Sequence, residues 1–436
     1  MATSISTFVQ QPDENEFEFH VRRMLMLCNV NLFNTAVEKT NLVEYIRTQA
    51  FSRRTWYPKL KILKGKGMKA DPNEVITHSL GDKSVADVCE AMIGAAFMQH
   101  NVRGEWKPHM WDQPVKAVTK LVKNDDHLME NWSDYYAAYQ LPKYQLAEAT
   151  AAQLDLAVKV EKQHAYHFKY PRLLRSAFIH PSQAFMWEHI PHYQRLEFLG
   201  DSLLDQAFIM HLFYNYPEKD PQWMTEHKTP MVSNQFLGAV CVKLGFHQHI
   251  RQNNAMLTSQ IYDYVTRIQE AERECNGAVD YWTTVIEPPK CLADVVEAYV
   301  AAIFVDSEFN YSVVQDFFDM HLKPFFLDMT IYDTFANHHP TTRLQKRLEN
   351  ELGCQSHRTA THTAQKVLPG DKDRIVAMLM IHDTIHFHGV ATSARYARKK
   401  VAEIALEALD GLPEYEYKRR YGCTCSQTVV ADGKHV

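Results

Sequence analysis

KCLADVVEAYVAAIF, residues 290–304, is the second of two closely related stretches in this chain. The first, KSVADVCEAMIGAAF, occupies residues 83–97, and eight of the fifteen aligned positions are identical. The identities include Lys83 and Lys290, Asp87 and Asp294, and Glu90 and Glu297, so charge is repeated along with apolar pattern. In both copies the acids are three residues apart, one helical turn, on an otherwise apolar helix. A long unit carrying such a helix twice predicts a duplicated, mainly α-helical architecture.

The repeat extends outward from that core. Cys28-Asn29-Val30-Asn31-Leu32-Phe33 matches Val232-Ser233-Asn234-Gln235-Phe236-Leu237 at an offset near 205. The second copy also carries RLEFLGD at residues 195–201, which places Glu197 and Asp201 on one helix face. Subtracting the offset puts the Glu197 counterpart before Met1, so the first copy is expected to begin partway through its own fold. Helical spacing is further read over residues 42–51, 85–98, 197–212, 235–244 and 292–304. Near the C-terminus the pattern changes to helix (342–352), Thr-rich strand (357–367), a Pro369-Gly370-Asp371 turn, strand (374–382), a third strand near 387–393, and helix (394–409). The expected fold class is therefore mainly α: two all-α units, the first incomplete, then a small α-β-β-β-α domain. The expected boundaries are 1–139, 140–328 and 339–412, with a hinge around 336–340 and a cysteine-containing tail at 413–436.

Composition narrows the class. A chain of 436 residues suggests roughly three domains at about 150 residues each. No apolar run approaches the length of about eighteen residues that a membrane span needs, and no membrane partner is expected. Eight scattered cysteines do not form a disulfide framework and favour a reducing compartment, cytoplasmic or nuclear. Net charge is −5, but residues 341–436 hold 15 Lys+Arg against 11 Asp+Glu. An acidic body with a basic end fits metal carboxylates in one part and phosphate contacts in another.

Glu197, Asp201, Asp294 and Glu297 are the candidate catalytic acids. Like charges at these spacings destabilise an isolated helix by a few tenths of a kcal/mol, and acids near a core need a proton or a cation. Oxygen ligands favour Mg²⁺ or Mn²⁺ over Zn²⁺. One or two such ions would suit phosphodiester hydrolysis, by activating water and neutralising phosphate charge. Lys290, one turn before Asp294, is placed to touch the same phosphate. An isolated acid pair is more often a solvated helix face; here the duplication with its lysine argues against that. Asp205 continues the stripe and is read as supporting or solvated. Gly200 inside the helix costs about 1 kcal/mol relative to Ala, which points to close approach of another backbone or of substrate.

RLEFLGDSLLD (195–205) followed by PPKCLADVVEAYVAAIF (288–304) resembles ribonuclease III, and LRSAFIHPS (174–182) and MVSNQFL (231–237) match that family's other stretches in order. Two such units followed by an α+β module resemble the C-terminal part of Dicer. FSRRTWYPK (51–59) and the terminal cysteines resemble fungal Dicer-like proteins in particular. The resemblance implies two nuclease units pairing within one chain, each cutting one strand of double-stranded RNA to leave 5′-phosphates and short 3′ overhangs. It implies Glu197, Asp201, Asp294 and Glu297 as ligands of Mg²⁺ or Mn²⁺, Lys290 as an activity-determining lysine, and only Asp87 and Glu90 in the incomplete first centre. A role in RNA silencing and antiviral defence, with silencing-complex proteins as partners, follows from the same likeness.

The terminal module resembles a double-stranded-RNA-binding domain, which reads duplex shape, 2′-hydroxyls and phosphates. Arg395, Arg398, Lys399 and Lys400 at the start of its last helix are the candidate RNA contacts. Cys354, His382, Cys423 and Cys425 form a candidate Cys₃His zinc set, with His386 and His388 as alternatives to His382; spacing alone is weak, and the fungal resemblance implies structural Zn²⁺ there. The competing expectation is a non-catalytic double-stranded-RNA-binding fragment, because the first nuclease unit is incomplete.

Overall fold

Residues 290–304 fold as the Cys291–Asp306 helix, entered from Pro288-Pro289 and buried along all but one of its sixteen positions. Its Ala-rich surface lets neighbouring helices approach closely. Gln194–Asn215 crosses one side and Asn234–Lys243 packs on another. This three-helix layer is the centre of the larger of two compact bodies in a computed structural model, which describes residues 1–10, 16–46, 81–98, 107–285, 287–333, 335, 340–364, 374–391 and 394–425. That body comprises residues 1–218 with 231–327; the second comprises 219–230 with 328–436. Among the described residues no helix is long and apolar enough to cross a membrane.

The two sequence copies share the first body. The Asn29–Asn34 helix starts after Cys28, and Asn234–Lys243 starts after Ser233, so the helix starts keep the offset of about 205. Ser233 caps its helix by accepting from the Phe236 amide at 3.1 Å, whereas the Cys28 side chain caps nothing. The first copy's acidic helix, Asp82–Met98, packs on Asn29–Asn34 and Asp112–Val122 around Met26, Leu32, Val85, Ala86, Cys89 and Leu121. Its outer face differs from that of its duplicate. Ala91, Met92, Gly94, Ala95 and Met98 are exposed, while the matching Ala298, Tyr299, Ala301, Ala302 and Val305 are buried. A cavity of about 390 Å³, lined in part by Ile93, Gly94, Phe97 and Met98, lies against that face.

Two expected elements differ in extent. Of the helix read over 42–51, the described residues form a 3₁₀ turn, Leu42–Tyr45, between a left-handed Asn41 and an extended Ile46, and residues 47–51 lie outside the described residues. The third strand, expected near 387–393, begins earlier, at Thr384, because His382 and Asp383 (φ 46° and 60°) form a tight turn before it; residues 392–393 lie outside the described residues. In the second body β1 (His357–Ala364), β2 (Arg374–Ile381) and β3 (Thr384–Ala391) form an antiparallel sheet in the order β1-β2-β3. Pro340–Lys346 and Ala394–Leu409 pack together, and the latter covers the sheet. Gly389 permits this: a Cβ there would stand 2.7 Å from the Val401 amide nitrogen. The tail adds an unexpected helix, Glu414–Tyr421, whose Tyr417 and Tyr421 join the same core. The 51–59 motif, the 369–371 turn and residues 336–339 of the expected hinge lie outside the described residues.

Candidate metal centre

Three of the four candidate acids converge. Oxygens of Glu197, Asp294 and Glu297 lie within 4.8 Å of one another. Glu197 comes from the first turn of Gln194–Asn215, and Asp294 and Glu297 from the first two turns of Cys291–Asp306. The crossing of those helices at Gly200 brings the turns together: a Cβ on Gly200 would stand 1.9 Å from the Glu297 carbonyl oxygen.

Lys290 occupies the place where the charges of the cluster meet. Its Nζ lies 2.5 Å from both Glu197 Oε1 and Asp294 Oδ1. Burial works against the Lys290 charge, but the two carboxylates outweigh it and raise the ammonium's pKa. Burial, with the Asp201, Asp294 and Glu197 charges, pushes the Glu297 carboxyl well above the usual carboxylate range. Buried acids crowded this closely need a further positive charge to ionise together. An all-oxygen donor set of this kind fits a hard divalent cation.

Asp201, one turn further along, lies outside the three-acid cluster and instead accepts from Arg23 Nη1 at 3.4 Å. Sequence reasoning placed it with the other ligands because i,i+4 spacing fixes a helix face, and it gave no view of a cation arriving from residue 23. Tyr193 was also missed: its buried hydroxyl donates to Asp294 Oδ2 at 2.9 Å, leaving Oδ1 toward the cluster. The tyrosine directly precedes the 194–215 helix, a signal readable only once its partner is known. Asp87 and Glu90 of the first copy are exposed, and Lys83 reaches Asp87 at 3.0 Å. His180 is not a ligand here: its Nδ1 meets Ser182 Oγ at 2.9 Å and its ring lies against Tyr193.

In the second body Cys354, His382, Cys423 and Cys425 place donor atoms within 4.8 Å of one another. His382 Nε2 lies 3.9 Å from Cys354 Sγ and 3.5 Å from Cys425 Sγ. Ligands on a tetrahedral Zn²⁺ stand about 3.5–3.8 Å apart, given Zn–S near 2.3 Å and Zn–N near 2.0 Å, so this donor set fits zinc. Amide donors from Gln355 and Ser356 lower the Cys425 thiol pKa, favouring the thiolate that a metal requires, while burial pushes Cys423 up to about 11. His386 instead stands edge-on to Tyr421. All eight cysteines are free of disulfides.

The ribonuclease III domain model matches residues 1–101 and again 194–308, once for each copy, and the dsRNA-binding domain model matches 332–411. The chain belongs to the ribonuclease III family. It is 66% identical to Dicer-like protein 1 of Phaeosphaeria nodorum over 98% of this chain and 28% of that protein. It is 49% identical to Dicer-like protein 1 of Aspergillus niger over the same shares. The chain thus spans about 28% of the length of these curated relatives. The solved structure of Dicer from Pichia stipitis matches at 16% identity and a TM-score of 0.24, over 56% of this chain and 95% of that one, too low a score to bear on the fold.

Ribonuclease III domains generally use divalent metals, and the Glu197–Asp294–Glu297 cluster is the set of residues suited to that use here. In this ribonuclease III chain the dsRNA-binding domain presents Arg398 and Lys400 exposed and Lys399 half-buried on the first turns of Ala394–Leu409. The Arg395 side chain lies outside the described residues. Because β3 runs from the Cys–His cluster toward this helix start, the basic residues and the cluster belong to opposite ends of the sheet. Arg347, directly after the Pro340–Lys346 helix, has a structural role: it donates to the Leu409 and Leu412 carbonyls at 3.2 and 3.0 Å.

Proposed function

We propose that this chain carries a Mg²⁺- or Mn²⁺-dependent endonuclease centre acting on double-stranded RNA, as part of RNA silencing. The observation that carries the reading is the convergence of Glu197, Asp294 and Glu297 on one point, with Lys290 beside them. A bound divalent cation would supply charge for the phosphate and acidify the attacking water. The protein's share is to hold the three carboxylates together, to fix Asp294 through Tyr193, and to present Lys290 to a phosphate oxygen. Arg398, Lys399 and Lys400 would hold the duplex by its backbone. Short duplexes with 3′ overhangs need one cut in each strand. The second cut requires the Asp87–Glu90 centre, whose acids stand exposed and apart from any other described carboxylate cluster.

Structural Zn²⁺ at Cys354, His382, Cys423 and Cys425 belongs to the same proposal, supported by the donor spacing. So does a cytoplasmic or nuclear location, since a reducing compartment keeps such thiols available. Silencing-complex proteins are proposed as partners on the strength of the Dicer-like relatives alone.

The test is incubation of the purified chain with duplex RNA and Mg²⁺ beside a Glu297→Ala control. Cleavage by the first and not the second is expected; equal RNA loss in both would assign the activity elsewhere. The exposed outer face of 82–98 favours a second reading, a double-stranded-RNA binder without cleavage. Retention of duplex RNA independent of Mg²⁺, with no product, would support that reading instead.

A further inference from the structure

The helix that carries Glu197 and Asp201 is gripped by the first copy. Phe198 packs on Phe19 at 5.2 Å and on the His20 ring at 5.0 Å, and Arg195 lies over Phe8 at 4.5 Å. The same Glu16–Leu27 helix delivers Arg23, whose guanidinium lies 5.2 Å from the Phe198 ring centre and meets His20 Nδ1 at 3.4 Å. From there it reaches Asp201 Oδ2 at 3.4 Å. Both partners keep partial access to water, with 29% and 40% of their side-chain surfaces exposed, so the pair is weak enough to open.

We propose that Arg23 is a positioning residue of the second copy's centre. It pairs with the Asp201 carboxylate beside the Glu197–Asp294–Glu297 cluster and competes with a divalent cation for that carboxylate. The first copy thereby sets how readily the second copy's centre takes up its metal. This rests on the metal-centre reading above.

The test is Mn²⁺ titration of the EDTA-treated full chain without RNA, followed by electron paramagnetic resonance. Arg23→Gln is expected to bind Mn²⁺ about threefold or more tightly than the parent, because it removes a competing positive charge. Arg23→Met, which keeps an unbranched side chain of similar length without the charge, is expected to do the same and serves if the glutamine variant does not fold. Arg23→Lys should restore near-parental affinity. Arg22→Gln, which breaks the neighbouring pair with Asp126 at 3.1 Å, should leave affinity unchanged. Unchanged or weaker binding in folded Arg23→Gln or Arg23→Met would overturn the proposal. Glu297→Gln separates the two readings. If it binds Mn²⁺ as the parent does, the metal centre itself is wrong; if it loses the ion while the Arg23 variants show no tightening, only the role of Arg23 falls.

Discussion

Gly200 and Glu297 are in backbone contact: no side chain larger than hydrogen fits between the Gly200 Cα and the Glu297 carbonyl oxygen. This contact fixes the depth at which the two acid-bearing helices cross, and hence the separation of Glu197 from Asp294 and Glu297. Gly200→Ala is expected to cost about 3 kcal/mol or more by forcing the helices apart, and to abolish metal-dependent cleavage. Gly94 on the first copy's acidic helix has nothing within 4 Å of an added Cβ. Gly94→Ala, which reproduces Ala301 of the duplicate, is expected to stabilise by about 0.5–1 kcal/mol. Denaturant unfolding of the two variants beside the parent checks both signs.

His127, His164 and His249 are each held with pKa lowered to about 4, chiefly by burial. A histidine depressed in the folded state takes up its proton more readily when unfolded. Their contribution is therefore complete above the ordinary value near pH 6.5 and is lost as pH falls from there toward 4. His127 is locked between Thr119 Oγ1 at 3.0 Å and Tyr135 Oη at 2.8 Å. Thermal melts between pH 7.5 and 5 should show a falling midpoint, with about 2 kcal/mol attributable to a single fully buried imidazole. A flat profile over that range would contradict the assignment.

Zinc content distinguishes the histidines of the second body. Metal analysis of the purified chain is expected to give one zinc per chain. His382→Ala and Cys425→Ser should lose it, while His386→Ala and His388→Ala should retain it. Because the set ties the start of β1 and the β2–β3 turn to the tail, loss of the ion should lower the thermal midpoint of this body. Full zinc retention by His382→Ala would count against the Cys₃His set.

Duplex binding should depend on salt through the Ala394–Leu409 helix start. Replacing Lys399 and Lys400 with Ala is expected to weaken binding about equally for unrelated duplex sequences. The slope of log affinity against log salt should fall by about 1 for each phosphate contact removed. Affinity loss confined to one sequence, or an unchanged slope, would place the RNA elsewhere.

Much of this was legible in the residues themselves. Helical spacing with a repeated lysine and two repeated acids gave the duplicated α architecture, because periodicity and charge are local properties of a chain. The strand run at 374–382 and the basic helix start at 394–409 were readable for the same reason. The early start of β3 was not, because His382 and Asp383 adopt positive φ without a glycine to announce it. The tail helix was also missed: it is held by Tyr417 and Tyr421 against a core contributed by distant segments.

For the centre, the chain by itself determined which side chains share a helix face: Glu197 with Asp201, and Asp294 with Glu297. Tertiary structure alone decided that three of them meet while Asp201 turns to Arg23, and that Tyr193 holds Asp294. The physical reason is range. Backbone periodicity is set within a few residues, whereas the meeting of Glu197 with Lys290, 93 residues further along the chain, depends on how closely two helices pack at one glycine.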